Sequence, residues 1–181
     1  MKLNDYIRVL PALDKNSCED LITTYYKNEP KHIRRLNKVQ AFTELNYNEV
    51  APKHTLNCLV RKIRTLINIY TDHNPTGGRF FPQKFGFEEF RIKCYNEEAD
   101  CFSPHVDVGD LNSSRRFLAF LFYLNDNFDG GNTEFRLPDK EVIKPKQGSV
   151  LMFPPTWQYP HEGKPVMAGT KFIMSTYLHY V

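Results

Sequence analysis

No cysteine pair in this 181-residue chain has CxxC spacing; Cys18, Cys58, Cys94 and Cys101 are scattered. That excludes a zinc knuckle and a thioredoxin-type redox motif. There is little excess of charge of either sign, 24 Lys and Arg facing 21 Asp and Glu for a net +3. A nucleic-acid partner, which calls for a concentrated basic face, is therefore not expected. Long apolar runs are missing too. The longest, Phe117 to Leu124, has eight residues, far short of the roughly eighteen or more of a membrane-crossing helix. The first residues, MKLNDYIRVLPALDKN, hold no uninterrupted apolar segment, so no secretory signal is read there and no membrane association is expected. A cytoplasmic protein with free thiols is the expectation. Repeats and low-complexity stretches are also absent.

What is present is an ordinary globular composition, 41% hydrophobic and 25% charged, with 14 Phe and 10 Tyr but one Trp. The length fits one domain, 1–181, and the aromatics favour a β-rich core or an aromatic-lined pocket. A short extended piece is read at Tyr6 to Leu10, then a helix from Ser17 to Lys27 capped by Asn16 or Ser17. Residues 28–54 show no clear period beyond one strand near Val39 to Leu45. The strongest helix has Leu56, Leu59, Val60, Ile63, Leu66, Ile67 and Tyr70 at three- and four-residue spacing, with Arg61, Lys62 and Arg64 on the wet side. His73 to Phe87, with Asn-Pro and Gly77-Gly78, reads as a long loop.

Beyond Phe90 the chain reads as short strands separated by turns, at 89–95, 104–107, 116–124, 132–136, 141–144, 149–153 and 171–179. Helices first and strands after predict an α+β fold. Residues 1–87 supply helical support and a loop, and 88–181 form a β-sandwich or jelly-roll core with helices on one side.

Of six histidines, four have no ligand-type neighbour at useful spacing. His105 does, in Pro104-His105-Val106-Asp107, where residues two apart share a strand face and bring an imidazole and a carboxylate together. His161 follows the apolar segment Ser149 to Phe153 through a turn-rich stretch. Two histidines and one carboxylate form a facial triad suited to non-haem Fe(II) oxygen chemistry, and zinc with a hydrolytic water takes the same ligands. Lys171, ten residues after His161 in the apolar stretch KFIMSTYLHY, is either a strand-end charge or a fixed cation for a dicarboxylate co-substrate. A zinc hydrolase leaves it without a role. Lys171, Ile173, Ser175 and Tyr177 share a strand face.

RIKCY, PHVD, RRFLAFLFYLND, GGNTEF, KPKQGSVLMFPP and HEGKPVMAGTKFIMSTYLHY together resemble, in order, the Fe(II)/2-oxoglutarate-dependent oxygenases, and most of all the catalytic domain of procollagen-type prolyl 4-hydroxylases. LPALDKNSCEDLI is similar to the strand and helix that open that domain. The resemblance implies a double-stranded β-helix (jelly-roll, cupin-like) core with N-terminal helices packed on one sheet. It implies iron held by His105, Asp107 and His161, and 2-oxoglutarate held by Lys171 with Tyr95, Tyr123 and Thr133. It places Arg116, Tyr177 and Phe102 on the substrate side, Tyr177 standing where a tryptophan is often found and Phe102 where a tyrosine is common. Implied with these are O2 as oxidant, ascorbate as reductant, release of succinate and CO2, and a proline-containing peptide or protein as substrate. The open alternatives are the same chemistry on a free amino acid, a lysyl side chain or a nucleobase, and a non-enzymatic metal-binding module. Gly77-Gly78 and the Val108 to Ser114 loop are expected to flank the mouth and close over a peptide.

Overall fold

The computed structural model describes residues 2–97 and 100–181. A 3-10 turn at Leu3–Tyr6 leads into β1 (Arg8–Pro11) and α1 (Lys15–Lys27). β2 (Ile33–Leu36) and β3 (Gln40–Asn46) come next, then α2 (Lys53–His73) and the single turn α3 (Pro75–Gly78). The remaining strands are β4 (Gly86–Phe87), β5 (Arg91–Asn96), β6 (Cys101–His105), β7 (Arg116–Tyr123), β8 (Asp129–Gly130), β9 (Thr133–Phe135) and β10 (Glu141–Ile143). β11 (Ser149–Phe153), β12 (His161–Gly163), β13 (Val166–Ala168) and β14 (Thr170–His179) complete the chain.

The strands pair in the order β1-β11-β7-β14-β5-β3-β6-β12-β9-β10, with β2 on β3, β4 on β14, and β8 with β13 as a separate pair. Every ladder is antiparallel. The sheet curls into a half-barrel of the double-stranded β-helix type, with α1 and α2 against its outer face. Period-two alternation builds the two layers. Leu118, Phe120 and Phe122 of β7 and Phe172, Met174 and Leu178 of β14 pack with Cys18, Leu21, Ile63, Leu66 and Ile67 of the helices. The intervening Ala119, Tyr123 and Ile173 face inward with Phe42, Tyr95, Phe135, Leu151 and Phe153. β7 and β11 are covered on both faces, which is why they read as unbroken apolar runs. Each fully buried Leu, Ile or Phe contributes about 1.5–3 kcal/mol of transfer free energy, so the two-sided cover makes these strands the rigid centre.

Four differences from the sequence reading have physical causes. α1 starts at Lys15, because the cap is Asp14, whose Oδ1 accepts from the Ser17 backbone N–H at 2.7 Å. Residues 1–87 do more than support the core, since β1, β2 and β3 are hydrogen-bonded members of the sheet. β6 ends at His105, so Asp107 lies just beyond the strand rather than within it. Gly77 and Gly78 pack towards Tyr6 and Thr71, on the α2 side of the molecule, and line neither cavity around the candidate ligands.

Candidate metal centre and its pocket

Strand register assembles the site. β12 pairs with β6 so that His161 lies directly opposite His105, and the chain leaving β6 bends to bring Asp107 back towards both. One ligand atom from each of the three lies within 4.8 Å of the others. His105 Nε2 is 3.5 Å from Asp107 Oδ1, and His161 Nε2 is 3.7 Å from Asp107 Oδ2.

The tautomers follow from the backbone. His105 Nδ1 donates to the Ser103 carbonyl at 2.8 Å and His161 Nδ1 donates to the Tyr159 carbonyl at 3.0 Å. With Nδ1 committed to a backbone carbonyl, each ring turns its Nε2 towards the other ligands. Phe102 stacks on His105 at 3.5 Å between centroids, and the Phe153 ring meets His161 edge-on at 4.7 Å. Rotation of either imidazole is blocked by these contacts.

His105 Nε2 and Asp107 Oδ2 are buried with no hydrogen-bond partner among the described residues. Burying such atoms unpaired costs free energy, and a divalent cation bound by all three ligands removes that cost. The donor set of two imidazole nitrogens and one carboxylate fits Fe(II) with coordination positions left open. Burial alone would raise the Asp107 carboxyl, but the two histidines and the Tyr177 hydroxyl outweigh it and hold the group well below the usual carboxylate range. Burial lowers His161, which keeps it neutral and able to ligate.

Behind the triad is a narrow cavity lined by Lys171, Tyr95, Thr133, Leu121, Ile173 and Tyr177, among others. Lys171 stands opposite Tyr95 in the β14–β5 register. It is 3% exposed, and its Nζ donates to the Gly131 carbonyl at 2.6 Å. Its ammonium lies 5.4 Å from the centre of the Tyr95 ring and 5.8 Å from that of Tyr123. Burial pushes Lys171 down to about 7. The Tyr123 hydroxyl and Thr133 Oγ1 are hydrogen-bonded at 2.8 Å. Gly131 adopts φ +62°, and a Cβ there would stand 3.1 Å from Lys171 Cδ, so the Gly130-Gly131 turn leaves room for the lysine.

In front of the triad a groove of about 310 Å³ opens to solvent. Arg116 pairs with Glu88 through Nε and Nη2 at 2.6 and 2.9 Å, and its Nη1 donates to the Asp107 carbonyl at 3.0 Å. Phe102 and Tyr177 line both spaces. The ten residues singled out in the sequence thus fall into one contiguous region. Lys93 and Glu88 were missed. Lys93, two residues before Tyr95 on the same strand face, was accessible to the period-two argument, whereas Glu88 carries no local signal.

The family model for the 2OG-Fe(II) oxygenase superfamily matches residues 90–179. A protein of Acanthamoeba polyphaga mimivirus, described provisionally as a prolyl 4-hydroxylase, is 32% identical over 104 residues, 52% of this chain and 40% of its own length. The multifunctional procollagen lysine hydroxylase and glycosyltransferase LH3 of Rattus norvegicus is 25% identical over 116 residues, 64% of this chain and 15% of its own. The chain thus spans less than half the length of these curated relatives. Among solved structures, the viral collagen prolyl hydroxylase of Paramecium bursaria Chlorella virus-1 superposes with a TM-score of 0.71 at 21% identity, covering 97% of both chains. The family match runs from just before β5 to the end of β14 and so takes in every ligand of the triad, and the chain belongs to the 2OG-Fe(II) oxygenase superfamily.

Proposed function

We propose that this protein is an Fe(II)- and 2-oxoglutarate-dependent dioxygenase that hydroxylates a peptidyl residue, proline at C4 in the first instance. The observation that carries the reading is the pair of orphaned buried ligand atoms, His105 Nε2 and Asp107 Oδ2, beside a buried lysine. When bound, iron supplies oxygen activation: 2-oxoglutarate and O2 give succinate and CO2, with the second oxygen atom passing to the substrate as hydroxyl.

The chain's own residues do the rest. Lys171 pairs with the distal carboxylate of 2-oxoglutarate in a water-poor cavity, where a charge-assisted contact is stronger than at a surface. Tyr95, Tyr123 and Thr133 shape that end of the cavity. Arg116, Tyr177 and Phe102 face the groove and orient the substrate above the triad. Ascorbate would serve as the external reductant. The compartment we propose is the cytoplasm, in keeping with four free cysteines; no helix among the described residues is long and apolar enough to cross a membrane.

A lysyl side chain is the second reading, favoured by the similarity to LH3. The groove sets four cations, Arg35, Arg91, Lys93 and Arg116, against four carboxylates, Glu44, Glu88, Glu89 and Asp107, so charge alone does not choose between a proline and a lysine. The deciding experiment incubates a library of proline- and lysine-containing peptides with Fe(II), 2-oxoglutarate and ascorbate, reading oxygen gain by mass spectrometry and succinate in the same tubes. Oxygen on proline with matching succinate is the expected result. Oxygen on lysine transfers the reading to the second substrate, and succinate with no modified peptide discards both.

A further inference from the structure

Five cations line the cavity behind the triad and the groove before it: Arg35, Arg91, Lys93, Arg116 and Lys171. Four have partners. Arg35 and Arg91 both bond Glu44 Oε1, Arg116 bonds Glu88, and Lys171 bonds the Gly131 carbonyl. Lys93 Nζ has no hydrogen-bond or ion-pair partner among the described residues, although the residue is only 9% exposed. Its nearest neighbours of note are the faces of Phe42 at 5.0 Å and Phe102 at 5.8 Å. Glu44 stands opposite Lys93 in the β3–β5 register, but its bonded carboxylate oxygen is already shared by two guanidinium groups. Glu44 and Asp107 act on Lys93 by charge, yet burial outweighs them and lowers it from the ordinary lysine value; a lysine buried this far with no carboxylate bonded to it is uncommon.

Its location separates it from Lys171. Lys171 lines the rear cavity alone, whereas Lys93, with His105 and Asp107, lines both the cavity and the groove. It therefore stands where a substrate entering along the groove meets the metal ligands. The ammonium itself lies over the Phe42 and Phe102 rings, a cation–π arrangement that uses none of its hydrogen-bond donors.

We propose that Lys93 receives a carboxylate of the substrate, so that the residue hydroxylated is one adjoining an acidic group. This rests on the reading of the groove as the entrance for a hydroxylation substrate. The carboxylate belongs either to an acidic side chain next to the target residue in a peptide or to the free carboxylate of a small substrate. Replacing it by the isosteric amide removes a charge-assisted hydrogen bond and costs about tenfold or more in affinity.

The test uses matched pairs: peptides with Asp or Asn, and Glu or Gln, on either side of a central proline or lysine, and free L-proline against L-prolinamide. For each pair two ratios of acid over amide are measured, one for oxygen gain and one for binding to Mn(II)-loaded protein under nitrogen. Wild type is expected to favour the acid about tenfold or more in at least one pair, Lys93→Met to bring that ratio to about one, and Lys93→Arg to retain it. Each ratio is taken within one protein, so a general loss of folding or activity cancels. Preference within the peptides identifies a neighbouring acidic side chain, and preference within the proline pair a free carboxylate. A ratio of one throughout in wild type, or one that survives in Lys93→Met, overturns the proposal. The two readings fail separately. Oxygen on lysine with the ratio intact keeps the carboxylate and removes proline, whereas oxygen on proline with a ratio of one does the reverse.

Discussion

The Tyr177 hydroxyl donates to Asp107 Oδ1 at 2.8 Å. The Arg116 guanidinium lies over the Tyr177 ring, 4.2 Å from its centre, and also donates to the Asp107 backbone carbonyl. The carboxylate ligand is thus steadied through its side chain by one residue and through its backbone by another.

Tyr177→Phe isolates the first of these restraints, because the ring and its stacking on Arg116 are kept. Loss of a partner that orients a metal ligand costs about 10–100-fold in metal affinity. Titration of Mn(II) into the metal-free protein, followed by electron paramagnetic resonance, measures it. Unchanged affinity would mean that the hydroxyl matters only on the groove side.

Filling the triad should stabilise the fold, since it provides partners for two buried atoms that have none among the described residues. At metal concentrations about 100-fold above Kd the gain is about 2.7 kcal/mol, which raises Tm by about 5–11 °C for a chain of this size. His105→Ala is expected to abolish the metal-induced rise. A rise that persists in that variant would place the stabilising metal elsewhere.

The turn that seats Lys171 allows a sharper test of geometry. Gly131 has φ +62°, and an added Cβ would meet Phe128 Cε2 at 2.8 Å and Lys171 Cδ at 3.1 Å. Gly131→Ala should cost roughly 1–2 kcal/mol from the left-handed backbone alone, lowering Tm by about 2–8 °C. It should also raise the KM for 2-oxoglutarate, because the lysine must move. Gly109→Ala is the control, with no atom within 4 Å of the new methyl. Equal effects at both positions would sink the account.

How far the chain could be read before its fold was known depended on length and period. α2 announces itself through seven apolar positions over four turns, and β7 and β11 through runs covered on both faces. The triad was legible because two of its members sit two residues apart, and the third follows a recognisable apolar strand. β3 was read, near Val39 to Leu45, but its partner β2 was obscured because the cohesion of that pair is partly ionic. Arg35 pairs with Glu44 across the ladder, and Arg34 reaches Asp100. Charged residues at inward positions break the alternation on which a strand is recognised. β12 and β13 are three residues long, too short to show any period, yet the β12 register is what sets His161 against His105. The closing role read into Gly77-Gly78 failed because small residues also serve close packing, here against Tyr6 and Thr71.

Lys171 should make co-substrate binding depend on pH, with a definite sign. Burial lowers its ammonium to about 7, so above that value the folded, ligand-free protein holds the amine neutral while the unfolded chain keeps it protonated. Stability of the ligand-free protein therefore rises with pH from about 7 towards the ordinary lysine value. The distal carboxylate of 2-oxoglutarate favours the ammonium form, so binding above pH 7 takes up a proton and affinity falls by up to about tenfold per pH unit. Calorimetric titration of Mn(II)-loaded protein at pH 8.5, under nitrogen and in two buffers of different ionisation enthalpy, counts that proton directly. Wild type is expected to take up close to one, and Lys171→Met none, with weaker binding that no longer varies with pH over this range. Absence of proton uptake in the wild type would mean that the lysine is already charged before the co-substrate arrives, and that its Gly131 contact rather than the carboxylate supplies the compensation for burial.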